Sequence, residues 1–227
     1  MLKKDLIKKF HPSEISFFLN PKSISLQLFI TQTITYLISE KVLKIEVNEG
    51  FENQFSTKKL IISIGDFFDD YRFIDLEIPF LVMFKVNKDL KIELFDFIND
   101  YLNKKEEKWK LDLLNSKNLH NYFINQLELN KVGKELQFQL ENYINTLNVK
   151  TETEYLHLVN LNHSNASSDY HKDEPSMKKS VYIKDSSFIQ SELVTLIYEM
   201  SIKAISDRKK YNTGLKWKNY NTGGVGG

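Results

Sequence analysis

Between Pro12 and Ile64 the spacing of apolar residues changes from helical to strand-like, and that switch restricts what the chain can fold into. Pro12-Ser13-Glu14-Ile15 predicts the start of a short helix, because proline has no N–H to lose in a first turn and its φ is already suitable. Ile15, Phe18 and Leu19 share one face of it. Asn20-Pro21 closes it, since the residue before a proline is pushed out of the helical region. A second helix is expected from Ser23 or Ile24 to Glu40, where Leu26, Phe29, Ile30, Ile34, Leu37 and Ile38 recur at steps of three and four. Leu43, Ile45 and Val47 then alternate with Lys44 and Glu46, the pattern of a half-buried strand. Asn48-Glu49-Gly50 is expected to break that strand, a polar loop to run through Lys59, and Leu60, Ile62 and Ile64 to form a second strand.

Further along, Ile78 to Val86 is a nearly continuous apolar run interrupted by Lys85. Leu94, Phe95, Ile98, Tyr101 and Leu102 form a helical stripe, and Lys104 to Lys108 a mixed-charge bend. Helix resumes at Trp109 through Leu111, Leu113 and Leu114, with Asn115-Ser116 as an interruption, and Phe123 to Leu129 reads as a strand. A closing helix takes in Leu136, Leu140, Tyr143, Ile144 and Leu147. Tyr155 to Leu161 reads as a strand, Asn162 to Lys179 as an exposed polar loop, and Ser187 to Lys209 as a helix. The tail from Tyr211 ends in glycines: Asn221 to Gly227 is expected to be disordered, with Leu215 and Trp217 touching the body.

Asn130 is placed to cap the helix after Leu129, and Gly133 to let that helix approach the preceding strand closely. Leu129-Asn130-Lys131-Val132-Gly133-Lys134-Glu135-Leu136 resembles the strand-to-helix junction of many winged-helix proteins, and helix, helix, strand, turn, strand over Pro12–Ile64 is the order of such a unit. The resemblance implies a fold, since this junction serves DNA-binding repressors and protein-binding modules alike. The Pro12-Ser13-Glu14-Ile15 opening, the two stacked units and the glycine-rich end also resemble the cytoplasmic part of uncharacterised bacterial membrane proteins. The expected fold is therefore α+β and mostly helical. Two tandem winged-helix-like units occupy 1–75 (with an N-terminal helix) and 76–150. A C-terminal strand, polar loop and helix fill 151–210, and a flexible tail fills 211–227.

With 227 residues, 41% of them hydrophobic and 13% aromatic, the chain can bury a core of its own. It has no cysteine, which rules out disulfides, thiolate metal sites and thiol nucleophiles. No apolar run reaches the roughly 18 to 20 residues that span a bilayer, and the expected setting is the cytoplasm. Leu2, Leu6, Ile7 and Phe10 face away from Lys3, Lys4, Lys8 and Lys9. This short segment is read as docking on the neighbouring domain, and peripheral membrane contact through residues 2–10 is set aside.

No nucleophile elbow or phosphate-binding loop is present, so no cofactor and no catalytic residue is assigned and enzymatic activity is the least supported class. His163, Asp169, His171, Asp173 and Glu174 crowd one polar loop at irregular spacing and are read as solvated, not as metal ligands. His11 is read as a boundary residue, and His120 and His157 as packing residues.

Net charge is +1, from 31 basic and 30 acidic residues, which supplies no bulk attraction to nucleic acid. A DNA-reading second helix would need flanking cations for phosphate, yet Ser23 to Ser39 carries no charge. Its neutral positions Gln27, Thr31, Gln32 and Thr35 suit contact with a protein partner, or with the second unit. The expected function is a non-catalytic intracellular scaffold or adaptor that binds protein. The alternative is a winged-helix nucleic-acid-binding regulator, for which Lys104, Lys105, Lys108 and Lys110 are the candidate contacts.

Overall fold

A computed structural model describes residues 10–22, 24–52, 55–116, 119–125, 128–146 and 191–220. These form seven α-helices, one 3₁₀ turn and two small antiparallel sheets. Helix α1 (Pro12–Leu19) has Pro12 in its first turn and ends at the cap Asn20. Helix α2 (Leu26–Ser39) starts from Ser25, whose Oγ accepts the Leu28 N–H at 3.3 Å. It ends in a left-handed residue, Lys41, with φ of 56°. The Val42 N–H returns to the Leu37 carbonyl and the Lys41 N–H to that of Ile38, the paired bonds of a Schellman cap.

Strands β1 (Leu43–Glu52) and β2 (Phe55–Ile64) then pair in register from Leu43↔Ile64 to Glu52↔Phe55. The long polar loop expected from Asn48 to Lys59 is thus replaced by a continuous ladder. Its residues are poor strand formers in isolation, but cross-strand backbone bonds carry the hairpin through them.

The second half begins with α3 (Ile78–Val86). Strand β3 (Ile92–Glu93) adds to β2, followed by α4 (Leu94–Lys105) and α5 (Trp109–Leu114). The 3₁₀ turn His120–Tyr122 leads into β4 (Phe123–Asn125) and β5 (Glu128–Leu129), which pair with each other. The single strand expected over Phe123–Leu129 is therefore a short hairpin. Helix α6 (Lys131–Thr146) follows from it. Asn130 caps α6, its Oδ1 accepting the Gly133 N–H at 2.8 Å. A Cβ at Gly133 would lie 2.4 Å from the Tyr122 carbonyl oxygen, so the close approach is real.

Helix α7 (Ser191–Tyr220) packs on α2 and α4. It runs through Tyr220, where a flexible tail was expected from Tyr211. The stretch contains no proline and a single internal glycine, Gly214, so helix propagation is not locally forbidden. The readings made for Leu2 to Lys9, His157, the 162–179 loop with its histidines and acids, and Asn221 to Gly227 lie outside the described residues.

One core joins these elements. Phe29 of α2 has ring centroids of Trp109, Tyr101 and Phe80 at 5.4, 6.1 and 6.3 Å, and Phe80 stacks on Tyr101 at 4.0 Å. Both this core and the β1–β2–β3 sheet cross the expected boundary at residue 75.

Candidate functional site

Four buried polar side chains, His11, Ser13, Glu14 and Ser16, lie together at the start of α1. His11 is the N-cap: its Nδ1 accepts the Ser13 N–H at 3.3 Å and lies 2.5 Å from the Ser13 Oγ. Glu14 reciprocates, its Oε2 accepting the His11 N–H at 2.8 Å. This is a capping box with histidine in place of serine or threonine. Because Nδ1 accepts from a backbone N–H, the ring proton of neutral His11 sits on Nε2. That atom makes no hydrogen bond and stands 3.8 Å from Glu77 Oε1.

Glu77, the residue before α3, is fully buried. Its Oε2 accepts the Ile74 N–H at 3.0 Å and its Oε1 the Tyr71 hydroxyl at 2.8 Å. Tyr71 also hydrogen-bonds Tyr36 of α2, whose ring meets the His11 ring edge-on at 4.7 Å. Three elements and the 65–77 connector thus converge on one carboxyl group.

Burial dominates the electrostatics. It pushes the Glu77 carboxyl up to about 7, against the lowering effect of the Ile74 and Tyr71 hydrogen bonds. It pushes His11 down to about 3, Tyr36 up to about 12, and Tyr71 well above the usual phenol range. At neutral pH a neutral imidazole stands beside a carboxyl group poised between its protonated and charged forms. A carboxyl with this poise can store or pass a proton.

In the sequence His11 reads as a boundary residue, and nothing there marks Glu77, Tyr36 or Tyr71 as a site. One signal was present: His11 and Glu14 stand at capping-box spacing around Pro12.

The neutral face of α2 is used inside the chain. Thr31, Gln32 and Thr35 are buried, Gln27 is half-buried, and Gln32 Nε2 donates to Ser16 Oγ at 2.6 Å. The expectation that this face meets a separate protein is corrected on that ground: α1 and α7 already pack on α2. Of the four candidate lysines, Lys104 is bonded to Asp100, and Lys105 to Asp112 at 2.7 Å. Lys108 and Lys110 are exposed, the latter 5.4 Å from the Trp109 ring centre.

A second surface feature was not singled out in sequence. Phe80, Leu81 and Phe84 carry α3 into the core, while Ile78, Val82 and Val86 are exposed on its other side. Ile74, four residues before Ile78 and joined to it by a Ile78 N–H to Ile74 carbonyl bond, is also exposed. The apolar run is therefore a helix apolar on both faces, and among the described residues only one face is covered.

Among the described residues no helix is long and apolar enough to cross a membrane, and no group of three or more His, Asp or Glu side chains is arranged to hold a metal. No family model matches the chain, and neither a curated protein nor a solved structure matches it.

Proposed function

We propose that this chain is a non-catalytic intracellular adaptor that takes an amphipathic helix of a protein partner on the outer face of α3. The observation that supports this reading is the row Ile74, Ile78, Val82 and Val86, each at least 36% exposed and Val86 86%. Residues spaced by four make one straight ridge, which fits the groove of a second helix. The four side chains expose only a few hundred Å², below the roughly 800 Å² that each partner buries in a standard interface, so a single helix fits the face better than a second copy. Its surroundings carry both signs, with exposed Asp75 and Lys85 and the Lys88–Asp69 ion pair at 2.5 Å. That is the rim of a protein contact more than of a lipid or nucleic-acid site. In this reading the scaffold is built of winged-helix-like units that share one core and one sheet across residue 75.

The test is selection of displayed helical peptides on the purified chain, followed by titration. Selected peptides should carry aliphatic residues at helical spacing and bind with Kd on the order of micromolar. Val82→Glu and Val86→Glu should each weaken binding about tenfold or more, while Val132→Glu, on α6, leaves it unchanged. Peptides that bind wild type and V82E alike, or failure to enrich any helical peptide, overturn the proposal. Self-association abolished by V82E, or salt-steep binding to duplex DNA lost in Lys108→Ala and Lys110→Ala, would instead assign the chain to a second copy or to nucleic acid.

A further inference from the structure

We propose that Glu77, facing His11, is a proton-operated latch on the first turn of α3: protonated, it holds Ile74 to Ile78 closed against α1, and charged, it lets that turn open. The geometry supplies the device. Glu77 Oε2 fixes the Ile74 N–H, and the Ile78 N–H is fixed in turn by the Ile74 carbonyl, so one carboxyl group sets the register of the turn.

The groups facing it are His11 and Glu14 from α1, Tyr36 and Glu40 from α2, and Tyr71 from the connector. Glu14 and Glu40 are acidic and oppose a charge on Glu77. His11 is the one base in the group, and its Nδ1 is committed as an acceptor to the Ser13 N–H. Imidazolium would carry a proton on Nδ1, so an ion pair with Glu77 forms only by giving up the α1 cap. A charged Glu77 is therefore relieved by water, which requires the turn to open.

The proton has a route. With Glu77 protonated on Oε1, the 2.8 Å bond runs from its O–H to the Tyr71 oxygen, and Tyr71 turns its own hydroxyl to Tyr36. Breaking the Glu77 O–H bond then passes a proton to Tyr71, which hands its own to Tyr36, and the half-buried Tyr36 releases one to water, after which Tyr71 donates to the carboxylate. Each hydroxyl ends with one proton, as it began, and the net change is one proton lost from Glu77. Burial places the transition near neutral pH.

The consequence for docking rests on the function proposed above: Ile74 and Ile78 are half of the exposed ridge, and opening the turn removes them from it. The latch itself is tested without a partner, by amide hydrogen exchange in wild type and Glu77→Gln. The sign follows from the raised Glu77 value. The closed turn keeps its proton up to about 7 and the open turn only to the ordinary 4.5, so closing is favoured most at low pH and less as pH rises. Protection of the Ile74 and Ile78 amides in wild type, divided by that in E77Q, should fall up to about tenfold per pH unit between 4.5 and 7, then level off. The β1–β2 amides should show no such ratio. A ratio that stays constant from pH 5 to 8 overturns the latch. If E77Q does not fold, a carboxyl carbon titration of Glu77 in wild type decides: a midpoint near 7 with parallel loss of Ile74 protection supports it, and a midpoint near 4.5 overturns it. Peptide binding that survives a failed latch leaves the docking function standing, and a working latch without peptide binding removes docking alone.

Discussion

The carbonyl oxygen of Lys41 lies 2.1 Å from the point where a Cβ on residue 65 would stand, so Gly65 and Lys41 form a backbone-to-backbone contact that no side chain can share. The contact is tied by two hydrogen bonds, Gly65 N–H to the Val42 carbonyl and Phe67 N–H to the Lys41 carbonyl. It joins the end of α2 to the end of β2 and aims the 65–77 connector at Glu77.

Gly65→Ala should therefore destabilise the chain by about 2 kcal/mol or more, because the atom in the way is backbone and cannot rotate aside. Lys41→Gly should act oppositely, stabilising by about 0.5–1 kcal/mol through relief of a left-handed residue with a Cβ. Urea denaturation of the two variants checks both signs. A Gly65→Ala chain as stable as wild type would refute the contact.

Gln32→Ala should cost about 1–3 kcal/mol, since it removes the buried donor to Ser16 Oγ and leaves that hydroxyl inside the core. A surface glutamine waiting for a partner would lose less than about 0.5 kcal/mol. The same denaturation measurement separates the two roles of the α2 face.

His11 and Glu77 should pull the pH dependence of stability in opposite directions. His11 is lowered from 6.5 to about 3, so between those values the unfolded chain holds the extra proton and stability rises with pH. Glu77 is raised from 4.5 to about 7, so across that window the folded chain holds the extra proton and stability falls with pH. From about 4.5 to 6.5 the two slopes, each on the order of 1.4 kcal/mol per unit, cancel. Relative to wild type, Glu77→Gln should expose the rising limb. His11→Asn, which keeps a capping acceptor, should expose the falling one. Denaturation across pH 3–8 reads this; variants whose curves run parallel to wild type would show that neither group is perturbed by burial.

Much of the local architecture was legible in the sequence. Pro12 starts α1 and Asn20 ends it, Asn130 caps α6, and Gly133 sits where a Cβ would strike Tyr122. The α2 and α4 stripes were read from their spacing, with ends within a few residues. The misses share a cause. Asn48 to Lys59 reads as loop when each residue is judged alone, but paired across a hairpin it is strand. The polar row Thr31, Gln32 and Thr35 reads as surface until the fold buries all three and sets Gln32 against Ser16 of α1. The run Ile78–Val86 gives no amphipathic signal because both sides are apolar, so which side meets water is not encoded in its spacing.

By itself, then, the sequence determined where helices begin and end and which segments alternate, because caps, proline and periodicity act through neighbours within about four residues. Tertiary structure decided which polar groups lose their water. His11 and Glu77 are far apart in the chain, and their altered proton affinities arise only when α1, α2 and the connector close around them. Desolvation is a property of the enclosing surface, and no stretch of residues carries it alone.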